Sequence, residues 1–231
     1  MHLPDGFLGS GTSSSLIAVA AAVGVAALSK IRKSFFAKQK KPVLATPEGI
    51  TIGGGETAQL TKYGREKIFK MATVGAFVFS AQMINFPVAN GTSGHLLGGV
   101  LAGILLGPLE AMLVLSSVLV VQSLFFADGG LVALGANIFN MGVIGAIGGY
   151  YLYRIIKKYF KQVFLAAFFA AWISVVLASA AASVELAISG TIPLNTVLPA
   201  MTKVHLLIGI GEGIITVLVL GGLKYKEKRD E

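Results

Sequence analysis

Two of the three histidines in this chain stand where they could bind a metal ion: His2, next to the first residue, and His95, in a Gly/Ser/Thr-rich stretch. An amino-terminal X-His unit can bind a divalent ion through the Met1 amine, the deprotonated amide of His2 and the His2 imidazole, in fused five- and six-membered rings. Histidine is a large second residue, so we expect Met1 to be retained with a free amine. The sequence has no cysteine, so any metal must use nitrogen or oxygen ligands.

His95 could supply a fourth nitrogen to this terminal unit. Four nitrogens in a plane suit Ni²⁺ or Cu²⁺ better than Zn²⁺, which prefers a tetrahedron. Each residue alone has an ordinary explanation, because a start codon supplies any terminal methionine and a histidine near a helix end is usually structural. The hypothesis therefore depends on whether the fold brings His2 and His95 to the same place.

The composition indicates a membrane protein. Hydrophobic residues make up 55% of the chain and charged residues 13%, with a mean hydropathy of +0.78, whereas soluble domains have about 25% charged residues. The net charge of +8 does not indicate a nucleic-acid surface, because the basic residues lie between apolar runs. A crossing helix needs roughly 20 apolar residues, and we find seven apolar segments: 15–36, 68–84, 94–106, 109–126, 131–156, 163–188 and 204–223.

The basic residues set the predicted orientation, because loops on the cytoplasmic side collect Lys and Arg. Segment 94–106 is short and could be re-entrant, but seven crossings place every one of the 19 basic residues except Lys203 inside. We predict an all-α polytopic membrane helix bundle of about seven transmembrane helices, with the N-terminus outside and the C-terminus cytoplasmic. The single domain 1–231 would comprise an extracytoplasmic metal-binding segment 1–14, a cytoplasmic loop of low order at 37–66 and a cytoplasmic tail at 224–231.

Polar residues near the two histidines could support the site. Asp5 follows Pro4 in a predicted turn, where its carboxylate either accepts backbone hydrogen bonds or orients a ligand imidazole. Asn85, Thr92 and Ser93 flank His95 and either hold its second ring nitrogen or cap the loop.

Ionisable residues inside predicted spans are further candidates, because burying a charge in a membrane is costly. His205 and Glu212 are seven residues apart and share a helix face. We expect them to lie along a substrate path or to make structural hydrogen bonds.

Several blocks of the sequence resemble the cobalt/nickel permease family, CbiM/NikM, of energy-coupling factor transporters. The similar blocks are residues 1–8 (MHLPDGFL), 79–88 (FSAQMINFPV), 91–99 (GTSGHLLGG), 128–131 (DGGL), 134–142 (LGANIFNMG) and 205–213 (HLLIGIGEG). They are spread over most of the chain. The long loop between the first two spans departs from the family pattern.

This resemblance implies a substrate-capturing subunit for Ni²⁺ or Co²⁺ in the cytoplasmic membrane of a bacterium or archaeon. The imported metal would support nickel enzymes or cobalamin biosynthesis. The metal would be substrate rather than cofactor, held by Met1, His2 and His95, with nickel favoured by the planar ligand set. The implied partners are a transmembrane coupling subunit and two ATP-binding subunits, with room for an accessory small membrane subunit. No enzyme activity and no nucleic acid are expected.

Three alternatives are weighed against this interpretation. A self-sufficient divalent-metal channel or secondary permease should carry acidic groups along a continuous path, and metal uptake without ATPase partners would favour it. An intramembrane metalloprotease needs paired histidines at helical spacing, which the sequence lacks. A structural scaffold would not change its behaviour if the N-terminus were extended.

The sequence has no phosphate-binding Gly-x-x-x-x-Gly-Lys-Ser/Thr pattern, so energy would come from partners.

Overall fold

The computed structural model describes residues 2–40, 43–45, 51–53, 56–88 and 92–230; Met1 lies outside these ranges. The described chain is mainly helical, which confirms the predicted all-α class, and its short strands lie in connections between helices. In chain order the elements are α1 (Ser10–Phe35), β1 (Phe36–Lys40), β2 (Val43–Ala45), β3 (Thr51–Gly53), β4 (Glu56–Leu60), α2 (Lys62–Gln82), β5 (Phe86–Val88), β6 (Thr92–Gly94), α3 (Gly99–Leu106), α4 (Pro108–Phe125), α5 (Leu134–Ile138), a π-helical segment (Phe139–Gly148), α6 (Gly149–Phe160), α7 (Val163–Ile188) and α8 (Leu194–Asp230).

Four helices in the described part of the chain are long and apolar enough to cross a membrane: Ser10–Phe35, Pro108–Phe125, Val163–Ile188 and Leu194–Lys224. The predicted boundaries of the segment 163–188 agree with α7 to the residue. Another predicted segment, 131–156, corresponds to an unbroken helical run from Leu134 to Phe160, whose middle is π-helical. The protein is therefore a polytopic helical membrane protein.

The predicted span 94–106 is helical only in its second half, which corrects the prediction. Helix α3 has eight residues, so it rises only about 12 Å, far less than a hydrocarbon core of roughly 30 Å. Two glycines set its limits: Gly98, before it, has φ +73° and Gly107, after it, has φ +101°. Residues 95–98, called the His95 loop below, precede α3 without regular structure.

The stretch predicted as a loop of low order carries paired strands instead. Strand β1 pairs with β4 and β2 pairs with β3, both antiparallel. The stretch lacks helical periodicity, and strand pairing satisfies its backbone hydrogen-bonding groups. Helix α2 then begins earlier than predicted, where the Thr61 hydroxyl accepts a 2.9 Å hydrogen bond from the Gly64 N–H.

Glycine and alanine let the helices approach closely, as small residues do in lipid. Helices α7 and α8 pack along most of their length, with Gly209 against Trp172 and Gly213 against Phe168. A Cβ at either glycine would lie 2.6 Å from the nearest aromatic carbon. Gly209 and Gly213 therefore serve packing within this chain.

Replacing Gly99 with alanine is expected to lower the free energy of unfolding by about 1–3 kcal/mol, as overpacking does. A Cβ at Gly99 would lie 2.6 Å from the backbone carbon of Gly145 in the π-helical segment, and backbone cannot move aside alone. Gly24→Ala is the matched control, because no atom lies within 4 Å of the Cβ that it adds. Thermal unfolding in detergent measures both. Equal melting temperatures for the two variants would contradict the close contact.

Candidate metal centre

The N-terminal segment, residues 2–9, enters the helix bundle rather than lying on its surface. His2 is 3% exposed and Leu3 is fully buried. The Leu3 N–H donates to Asn137 Oδ1 at 2.8 Å, and the Leu3 carbonyl accepts from Asn137 Nδ2 at 3.2 Å and from the Gly130 N–H at 2.9 Å. These bonds satisfy the buried Leu3 backbone as a neighbouring strand would. They fix the position of the adjacent His2.

Asp5 anchors the same segment. Its carboxylate accepts hydrogen bonds from the backbone N–H groups of Leu131 (3.1 Å), Val132 (2.7 Å) and Ala133 (3.3 Å). Gly130 lies directly against Asp5 and leaves no room for a Cβ. Of the two roles predicted for Asp5, the structure shows the backbone-binding one.

Asp128 contacts the His2 imidazole, and the sequence analysis did not assign it to the site. Its Oδ1 lies 2.7 Å from His2 Nδ1. Burial, the largest cause, lowers the pKa of His2 below its usual 6.5, although the hydrogen bond with Asp128 acts in the opposite direction. For Asp128, burial acts to raise the pKa, but the His2 hydrogen bond, the His2 charge and the neighbouring Asn85 side chain outweigh it, so the pKa is lowered. The pair is therefore a neutral imidazole that donates from Nδ1 to an ionised carboxylate.

His95 is fully buried, and its Nδ1 lies 2.8 Å from the carbonyl oxygen of the next residue, Leu96. A carbonyl can only accept, so Nδ1 carries the hydrogen and Nε2 keeps its lone pair. The Leu96 carbonyl thus takes the place predicted for Asn85, Thr92 or Ser93. Asn85 instead lies against Asp128, and the Thr92 side chain lies outside the described residues.

Glu212 fixes the other end of the His95 loop. Its two carboxylate oxygens accept from the N–H groups of Leu97 at 2.8 Å and Gly98 at 2.6 Å. These N–H groups lie just before α3, where a helix has no backbone acceptors of its own for them. Glu212 therefore positions the loop. Of its two predicted roles, these contacts correspond to structural hydrogen bonding.

The two imidazoles meet inside the protein. Their ring centroids are 4.1 Å apart, with the planes tilted by 38°. In both rings Nε2 is buried and has no hydrogen-bond partner among the described residues. Leaving a buried polar atom unpaired costs about 1–3 kcal/mol. Two bare imidazole nitrogens side by side are a donor set for a transition-metal ion.

The predicted chelate and the observed His2 geometry use different nitrogens. A six-membered ring with the His2 amide requires Nδ1, whereas the structure has Nδ1 on Asp128 and Nε2 free. Rotation of the imidazole about the Cβ–Cγ bond would exchange the two arrangements. The described residues contain no group of three His, Cys, Asp or Glu side chains close enough to hold a metal ion.

The fold and the site define a polytopic helical membrane protein with two imidazoles in buried contact, whose Nε2 atoms are unpartnered among the described residues. The same fold occurs in two crystal structures described as transition metal transporters, one of them truncated. Each has a TM-score of 0.82 and 30% identity with this chain. The truncated one aligns over 98% of this chain and 99% of its own.

The family follows from sequence comparison. Residues 2–229 match the CbiM family, described as the cobalt uptake substrate-specific transmembrane region, so the chain belongs to that family. A putative fused nickel transport protein NikMN of Archaeoglobus fulgidus is 46% identical over 64% of this chain, which spans only half of that relative's length. A cobalt transport protein CbiM of Acetoanaerobium sticklandii is 33% identical over 74% of this chain and 73% of its own.

Proposed function

We propose that this chain captures Ni²⁺, with Co²⁺ as second choice, as the substrate-specific membrane subunit of an ATP-driven energy-coupling factor importer. The ligands are the Met1 amine, the amide and imidazole of His2, and the imidazole of His95. The observation that carries the proposal is the buried contact between the His2 and His95 imidazoles, 4.1 Å apart at their centroids, with His95 Nε2 unpartnered among the described residues. Membership of the CbiM family supports it, as do relatives named for nickel and for cobalt transport.

The site faces the outside of the cytoplasmic membrane in this proposal. The N-terminal segment reaches the end of α7, where the Thr191 hydroxyl donates to the Phe7 carbonyl. Basic residues gather at the opposite end: Lys224 lies over the ring of Phe164, near the start of α7, at 5.8 Å. Helix α7 has 26 residues, about 39 Å of rise. Basic residues mark the cytoplasmic side, so the metal centre lies outside.

ATP-binding partners would supply the energy. In a self-sufficient channel, buried acids should line an open path. Here Glu212 is engaged with two backbone N–H groups, and Glu185 is bonded to Asn140 Nδ2 at 2.8 Å. Both acids therefore have local roles, which favours a capture subunit with a coupling subunit and two ATP-binding subunits as partners.

Calorimetric titration of the purified chain with Ni²⁺, Co²⁺ and Zn²⁺ tests the metal assignment. A planar four-nitrogen set should bind Ni²⁺ at least about tenfold more tightly than Zn²⁺, with Co²⁺ weaker than Ni²⁺ by the general order of divalent affinities. His95→Ala is the matched variant. Among the three metals, its affinity for Ni²⁺ should fall most. Zn²⁺ binding as tight as Ni²⁺ binding would exclude the planar set.

A further inference from the structure

The third histidine, His205, lies close to the residue that precedes the His95 loop. Helix α8 carries His205 and Glu212 seven residues apart, and Glu212 holds the far end of that loop. Glu212 bonds to Leu97 and Gly98. The His205 ring lies against Gly94, where a Cβ would be 3.4 Å from His205 Cε1. Cε1 lies between the two ring nitrogens, so this end of the imidazole faces the residue next to His95.

The protonation of His205 follows from one hydrogen bond. Its Nδ1 lies 2.7 Å from the Met201 carbonyl oxygen, so Nδ1 is the donor and Nε2 carries a lone pair. His205 is fully buried, and Nε2 has no hydrogen-bond partner among the residues that the structure describes. The Met201 bond accounts for a structural role of Nδ1 and leaves Nε2 unexplained. A buried polar atom without a partner calls for an explanation, and a bound ion is one that an imidazole lone pair suits.

His205 repeats the arrangement of the proposed ligand His95. In His2, His95 and His205 alike, Nδ1 is bonded to an oxygen and Nε2 is buried and unpartnered. An oxygen partner on the second nitrogen is the usual environment of a metal-binding histidine. The described side chains do not bring three such residues around one point, so His205 does not complete the His2–His95 centre as it stands.

We propose that His205 Nε2 is a ligand of a second metal site, which receives the divalent ion when the ion leaves the N-terminal chelate. The inference rests on the proposed function. In this exchange a bond from the metal to His205 Nε2 forms while the bonds to the Met1 amine and the His2 amide break, and water returns the proton that the amide nitrogen gave up on binding. No proton need move at His205, because its Nε2 lone pair is already free. His95, next to Gly94, is the ligand that the two metal sites would share.

His205→Asn is the discriminating variant. Its side-chain amide can still donate to the Met201 carbonyl but has no nitrogen at the Nε2 position. We expect the Ni²⁺ affinity of the purified chain to stay within about threefold, while uptake of radioactive Ni²⁺ by cells with the complete transporter falls at least about tenfold, the usual loss on removing a supporting metal group. The wild-type chain in the same titration and uptake assays tests the proposed function separately.

Two outcomes would overturn the inference. Unchanged uptake in His205→Asn would show that the ion does not use Nε2, and a large loss of equilibrium affinity would place His205 in the capture centre itself. Thermal unfolding checks that the variant is intact. If His205→Asn melts lower than wild type, His205→Ser replaces it in the same two assays with the same expectations, because its hydroxyl can donate to the Met201 carbonyl one helical turn back and it has no atom at the Nε2 position. Thr216→Val, at another buried polar position of α8, is the control and should leave both readouts unchanged.

Discussion

Two residues added ahead of Met1, Gly-Ser for example, are expected to weaken Ni²⁺ binding by about 100- to 10,000-fold, because amine, amide and imidazole then no longer act as one chelate with a high effective concentration. The added residues move the free amine away from His2 and turn the Met1 nitrogen into an amide. Calorimetric titration of the purified protein measures the effect. His2 is 3% exposed, so the extension acts directly beside the buried imidazole pair.

The same two residues added after the last residue serve as the control and should leave the affinity unchanged. Displacement of the whole N-terminal segment is a separate effect, because it would also break the bonds that Leu3 and Asp5 make with residues 130–137. It would lower the melting temperature, whereas loss of the amine ligand alone would not. Full affinity in the extended protein would show that Met1 is not a ligand.

The helices could be predicted from the sequence because each crossing must be a long apolar run. Helix α7 is the clearest case, since its apolar residues are continuous from Val163 to Ile188. The start of the short α3 could not be predicted in the same way, because it depends on the positive φ of Gly98, whereas its end at Leu106 agrees with the predicted segment 94–106. The strands between α1 and α2 were missed because no alternation of apolar and polar residues marks them, and pairing depends on partners up to 24 residues apart, as for Phe36 and Leu60.

The residues of the candidate site were partly predictable. His2 and His95 stood out because histidine is rare and both fall on one predicted side. Asp128 was missed, although it belongs to the DGGL block between two apolar runs on that side. Its contact with His2 joins residues 126 positions apart. The spacing of residues along the sequence does not reveal contacts at such a separation. The ring nitrogen that each histidine exposes also depends on such contacts, so Nδ1 and Nε2 could not be told apart from sequence.

The pH dependence of Ni²⁺ binding decides which His2 nitrogen binds the metal. Burial lowers the pKa of His2 below 6.5, so above pH 6.5 the imidazole is already neutral and releases no proton on binding. The Asp128 pKa is lowered as well, so this carboxylate stays ionised and its contact with His2 does not titrate in that range. Any protons released above pH 6.5 must therefore come from the backbone amide and the terminal amine.

We expect the Ni²⁺ affinity to rise about 100-fold per pH unit between pH 6.5 and 7.5, because the chelate displaces one proton from the His2 amide and one from the amine, whose ordinary pKa is about 7.7–8.0. Above about pH 8 the amine is already neutral, so the slope falls to about tenfold per unit. Binding through the two Nε2 atoms alone would displace no protons, and the affinity would then be flat over the same window. Titrations in buffers of different ionisation enthalpy count the released protons directly: two support the Nδ1 chelate after rotation of His2 away from Asp128, and none would assign the metal to the imidazole pair as the structure shows it.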